Sequence, residues 1–169
     1  MKKCYVCEQF KDELEFYKDA SKKDGIAGEC KFCCLNRVSI YQKINREEIK
    51  IKKRRWVCEH PKLTWCQNTI HGHKRRGYLI KISSTELYEL IKNVEYCELC
   101  DEKLNWEYGN KNGVPVYNSP SLDRKNNENY VDKNNIMILC NKCNSTKLNR
   151  TFKEFVEYCK DISEKFGDI

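Results

Sequence analysis

The chain of 169 residues has only three histidines, His60, His71 and His73, and no long apolar stretch. Its longest apolar run is Ile136 to Cys140. A membrane helix needs roughly 20 such residues, so no span is expected. Met1-Lys-Lys-Cys4 leads straight into a cysteine pair with no apolar signal segment, so an intracellular, reducing setting is expected. A hydrophobic content of 40% against 34% charged leaves a modest core that needs reinforcement. What the chain has in excess is cysteine, twelve in all, and positive charge, with 32 Lys and Arg over 25 Asp and Glu. In a reducing setting, paired cysteines point to zinc rather than to disulfides.

Cys4-Tyr-Val-Cys7 and Cys30-Lys-Phe-Cys33 are separated by 22 residues and predict a Cys4 zinc module over residues 1–35. Cys34 could replace Cys33 as the fourth ligand. Gly25 and Gly28 are expected in turns, and Phe10, Leu14, Phe16 and Tyr17 around the metal. Residues 36–95 read as a basic helical linker. One or two helices are expected over 36–55, a break at Pro61, a helix over 63–76 stopped by Gly77, and a helix opened by the capping box Ser83-Ser-Thr-Glu86. Leu87, Leu90, Ile91 and Val94 form the apolar face of that last helix.

Residues 96–169 carry a second Cys4 set, Cys97-Glu-Leu-Cys100 and Cys140-Asn-Lys-Cys143, with 39 residues between the pairs. Gly109, Asn110, Asn112, Gly113 and Pro115 predict a loop, Ser119 to Arg124 a strand, Lys125 to Asn134 a polar turn, and Asn135 to Leu139 an apolar strand. A short helix over 144–149 follows. Thr151-Phe-Lys-Glu154 caps a final helix with Phe155, Tyr158, Cys159, Ile162 and Phe166 on one face. The fold class is therefore a small, zinc-stabilised α+β protein.

The order strand, loop, strand, cysteine knuckle, helix resembles the HNH endonucleases of the ββα-metal superfamily. The resemblance rests on Leu122-Asp123-Arg124, Asn135-Ile136 and Cys140-x-x-Cys143-Asn144-x-x-Lys147, and covers about residues 96 to 160. It implies that Asp123 and Asn144 bind a catalytic Mg²⁺ or Mn²⁺, while Asn135, or else Asn134, braces the loop. The N-terminal zinc pairs are similar to those of phage-type HNH proteins, which implies a phage or viral origin as one option. A carboxylate and an amide oxygen suit a hard cation with positions left for water and phosphate.

Where such a site usually carries a histidine base, this chain has Arg124, which has no acceptor and stays protonated. Some relatives with the same Asp-Arg pair take the activating group from an upstream segment. Here that segment is His71-Gly-His73-Lys-Arg-Arg-Gly77-Tyr78, with His73 the first candidate base, His71 the second and Tyr78 the third. Phosphate contact or helix-end packing would account for these histidines equally well. Arg124 then has a phosphate to hold. A third zinc site from Cys58, His60, Cys66 and His71 matches no common spacing.

The basic runs ending in Lys53, Arg54 and Arg55 and formed by Lys74, Arg75 and Arg76, with Lys147, predict phosphate contacts to DNA. Two functions follow: a metal-dependent HNH-type DNA endonuclease, or a non-catalytic zinc protein that binds nucleic acid. Symmetric cutting of both strands would call for a homodimer, and no heptad announces one.

Overall fold

The structure, a computed structural model, describes residues 1–107 and 116–167. The loop expected around Gly109 to Pro115 lies outside them. The fold is small α+β, with six α-helices and two-stranded sheets among the described residues. It divides into two compact units, Met1–Arg55 and Trp56–Ile169. No helix among the described residues is long and apolar enough to cross a membrane.

The first unit is built on cysteine. Strands β1 (Lys2–Lys3) and β2 (Phe10–Lys11) pair antiparallel. A single 3-10 turn then leads to β3 (Phe16–Lys18), which pairs antiparallel with β4 (Ile26–Cys30). Cys4, Cys30, Cys33 and Phe16 are its buried apolar residues. The expectation that Phe10, Leu14 and Tyr17 would join them is wrong: Phe10 is 66% and Leu14 82% exposed, and Tyr17 is exposed as well. Phe10 sits on a two-residue strand and Leu14 on a 3-10 turn, while Tyr17 follows buried Phe16 on β3 and so points to the opposite face. Gly25, at φ +72°, makes the expected turn. Gly28 instead lies within β4, where an added Cβ would sit 3.0 Å from the Tyr5 ring. Helix α1 (Lys31–Ile44) starts at the second cysteine pair and is followed by α2 (Arg46–Glu59).

The second unit has a continuous apolar core. Helix α3 (Pro61–Arg75) takes Pro61 as its first residue, where a missing N–H costs nothing, so this proline starts the helix as well as ending what precedes it. It stops at Gly77, whose φ of +87° suits glycine. Strand β5 (Leu79–Ile80) follows, and α4 (Ser84–Ile91) opens with the complete Ser83–Glu86 capping box. Strand β6 (Pro120–Arg124) pairs antiparallel with β8 (Ile136–Cys140), in a register that sets Asp123 opposite Met137. Between them β7 (Tyr130–Val131) pairs in parallel with β5. The segment expected to be only a polar turn therefore contains a strand. Every residue of β8 is buried, and Glu98 accepts the Ile138 N–H at 2.6 Å, closing a backbone donor at its edge.

Leu87 and Ile91 of α4, Cys66 of α3, Leu122, Val131 and the β8 residues share one core. Residues 61–91 are thus part of the same folded body as the second cysteine set, and the expected linker over 36–95 is not a separate region. Leu90, predicted on the same face, is exposed. The helix after the knuckle, α5 (Asn141–Lys147), begins three residues earlier than expected because the Cys140 thiol caps it by accepting the Cys143 N–H at 3.3 Å. The last helix, α6 (Phe152–Phe166), has its Thr151–Glu154 capping box, but none of its residues is buried. The predicted core face of Phe155, Tyr158, Cys159, Ile162 and Phe166 is amphipathic without being covered.

Candidate functional site

Two groups of four thiols are gathered as the spacing predicted: Cys4, Cys7, Cys30 and Cys33, and Cys97, Cys100, Cys140 and Cys143, with ligand atoms within 4.8 Å of one another in each. Four sulfurs at that spacing fit tetrahedral Zn²⁺, whose bonds of about 2.3 Å place sulfurs about 3.8 Å apart. The 3.8 Å between Cys100 and Cys140 Sγ matches. Cys33, not Cys34, completes the first set; Cys34 lies outside it, 3.9 Å from the Arg37 guanidinium. Burial raises the Cys4 thiol, but N–H groups of Cys30, Cys7 and Val6 outweigh it and hold its pKa down at about 6. The Cys30 N–H donates to its Sγ at 3.3 Å. Among the described residues Cys58, His60, Cys66 and His71 form no such group. Burial pushes Cys66 up to about 12, as for an inert core thiol.

Strand β6 and helix α5 face each other through two rungs. Ser121 and Asp123 lie two apart on the strand, and Asn144 and Lys147 three apart on the helix, so each pair shares a face. The Asn144 Nδ2 donates to Ser121 Oγ at 2.8 Å. The Lys147 Nζ lies 3.0 Å from Asp123 Oδ2. Lys147 is only 1% exposed and also donates to the Arg150 carbonyl. The phosphate contact expected of Lys147 is therefore corrected: its charge is spent inside the protein. Asp123 Oδ2 is buried and makes no hydrogen bond of acceptable geometry, so its contact with Lys147 is a charge pair alone.

Asn135, 3% exposed, braces the loop between β6 and β8. Its Oδ1 accepts the Asn126 N–H at 3.0 Å and its Nδ2 donates to the Tyr130 carbonyl at 3.4 Å. Asn134 has its backbone N–H on Asp132 Oδ1 at 2.9 Å, which is turn chemistry.

The upstream histidine segment reaches this site. Trp65 of α3 donates its indole N–H to the Pro120 carbonyl at 3.0 Å, fixing the helix beside the start of β6. About two turns later His73 and Arg76 line a cavity of about 330 Å³ together with Asn68, Thr69, Ser121 and Asn144. His73 is 8% exposed, with Nδ1 2.9 Å from the Thr69 carbonyl. That carbonyl can only accept, so Nδ1 carries the hydrogen and Nε2 the lone pair. Burial lowers the His73 pKa below 6.5; the Thr69 bond opposes this, while Arg76 and Arg124 reinforce it. The ring is therefore neutral at pH 7. His71, two residues away, is exposed and lines no part of that cavity.

The β5–β7 pairing carries Tyr78 to Arg124. The Arg124 guanidinium stacks 4.3 Å from the Tyr78 ring centre and donates to its hydroxyl at 3.2 Å and to the Glu128 carbonyl at 2.6 Å. Tyr78 lies 5.5 Å from the His73 ring. No signal in a two-residue strand could have announced this connection. Lys53, Arg54, Arg55, Lys74, Arg75 and Arg76 are all exposed, as a phosphate-binding surface requires.

For a hard divalent ion the donor set is a buried carboxylate oxygen without a hydrogen bond and an amide whose nitrogen is already engaged, leaving its oxygen as acceptor. These donors suit Mg²⁺ or Mn²⁺ by chemistry, with the Lys147 ammonium as the competing charge. Compared with protein-family models, curated proteins and solved structures, the chain gives no match in any of the three.

Proposed function

We propose that the protein is a metal-dependent DNA endonuclease of HNH type that hydrolyses a phosphodiester bond. The observation that carries this reading is the cavity in which His73 of α3 and Asn144 of α5 meet, next to the strand that bears Asp123. An upstream neutral imidazole in the cavity lined by Asn144, with Asp123 two residues beyond Ser121 on the same strand, is what the chain needs once Arg124 is unable to act as a base.

Asp123 and Asn144 would hold the divalent ion, which when bound supplies positive charge to the scissile phosphate. His73 keeps Nε2 unprotonated at neutral pH and accepts the proton of the attacking water through it. Arg124 is tethered at Tyr78 and Glu128 by two of its five N–H donors, which leaves others to contact a phosphate oxygen. Asn135 keeps the 126–130 loop, and with it the Arg124 tether, in place. A zinc ion on the second cysteine set would fix the end of β8 and the start of α5, through Cys140 and Cys143.

The alternative, a non-catalytic zinc protein that binds nucleic acid, is favoured by one observation: Lys147 already neutralises Asp123. Conversion of supercoiled plasmid to nicked or linear DNA by zinc-loaded protein decides between them. The endonuclease requires added Mg²⁺ or Mn²⁺ and is lost in Asp123→Ala and Asn144→Ala. If wild-type protein cuts no DNA form, branched substrates included, the catalytic reading is abandoned.

A further inference from the structure

The net charge of the chain is not spread over it. Residues 1–30 hold 6 Lys and Arg against 7 Asp and Glu, and residues 56–169 hold 17 against 16. The remaining 25 residues, 31–55, hold 9 against 2, a local excess of +7 that equals the excess of the whole chain. That segment is α1 and most of α2.

These helices have almost no core to hold them. Cys33 is the only buried residue of α1, and α2 has none. An isolated helix of 14 residues is marginal in water. The support α2 has of its own is two acidic–basic pairs, Glu47 with Lys50 at 2.7 Å and Glu48 with Lys52 at 2.6 Å. Exposed pairs of this kind are screened by solvent and contribute little. Arg46, Lys53, Arg54 and Arg55 have no acidic partner among the described residues, so their mutual repulsion opposes the helix. A polyanion laid along these helices would supply the counter-charge they lack.

We infer that residues 31–55 form a basic helical arm that docks on duplex DNA and is consolidated by it, so that the arm supplies most of the DNA affinity. A helix about 10–12 Å across fits a B-form major groove about 12 Å wide, whereas the deep, narrow groove of duplex RNA does not admit it. Arg46, Lys50, Lys53 and Arg54 fall at i, i+4, i+7 and i+8, a single stripe able to follow phosphates. The choice of DNA rests on the proposed function, but docking needs no cleavage.

The test is binding to an uncleaved DNA duplex of random sequence, without added divalent metal, by zinc-loaded full-length protein. Amide exchange over residues 46–59 is expected to slow when DNA binds, with no such slowing on an RNA duplex of equal length. Replacing Arg46, Lys50, Lys53 and Arg54 together by Gln, a good helix former, removes up to four phosphate contacts. It should flatten the slope of log affinity against log salt by about 3–4. Replacing Lys74, Arg75 and Arg76 by Gln should change the slope less. The inference is overturned if exchange is unaltered by DNA, if RNA protects equally, or if the fourfold variant keeps the wild-type slope. Such a result leaves the nuclease reading standing as long as plasmid is still cut.

Discussion

At the scale of single residues, the groups that decide the chemistry are the ones whose surroundings differ from what their type suggests. His73 is a buried neutral imidazole, so it contributes stability that is full above its unfolded pKa near 6.5 and is lost as pH falls from there toward its lowered folded value. His73→Ala should remove that acid-side dependence from urea unfolding curves measured between pH 5 and 8. A curve with unchanged pH dependence would mean that the burial does not set this titration. Lys147 with Asp123 is a second such case. Lys147→Met leaves a buried carboxylate unpaired and should lower unfolding free energy by about 3–5 kcal/mol, while the double variant Lys147→Met, Asp123→Leu should recover much of it. Lysine is read from sequence as a surface cation, and only the i, i+3 relation to Asn144 hinted that this one faces the strand. Arg124 was legible as a non-base from its chemistry alone. Its tether to Tyr78 was not, since the two lie 46 residues apart.

Among the elements, local signals with a strong stereochemical cause were legible: both capping boxes, the apolar β8, the glycine that ends α3 and the cysteine knuckles. Their energetic weight differs with what the element carries. Ser83→Ala should cost about 1 kcal/mol of global stability, because α4 bears the buried Leu87 and Ile91. Thr151→Ala, which removes the same kind of cap from α6, should speed amide exchange in that helix and leave the unfolding midpoint nearly unchanged, because α6 buries no residue. An equal loss of global stability in both variants would contradict the core assignment. Periodicity alone marked α6 as core-facing, yet amphipathicity states only that a face is apolar, and not what covers it. The β5–β7 pair was illegible because two residues show no alternation.

For the whole molecule, the two Cys4 groups organise the fold at the N-terminal module and at the second core. The purified protein should contain two zinc ions per chain, and Cys30→Ser should retain about one, with thiolate-to-metal absorption of a cobalt-substituted sample halved accordingly. Zinc content near zero would remove the basis for both modules. The expected division into module, linker and nuclease-like region was only partly legible, because α3 and α4 look like linker helices until their contacts with β6 and β8 are known. Those contacts bring His73 to the face built by β6 and α5.

The most direct measurement of that placement is the pH dependence of single-turnover DNA cleavage in Mg²⁺ by wild-type and His73→Ala proteins, both checked for two bound zinc ions. The account predicts a wild-type rate that is level through neutral pH and falls only on an acid limb displaced below the ordinary histidine value of 6.5, and a loss of roughly 10²–10⁴-fold in His73→Ala across the level region. A His73→Ala protein that cuts at the wild-type rate with the same acid limb would contradict it.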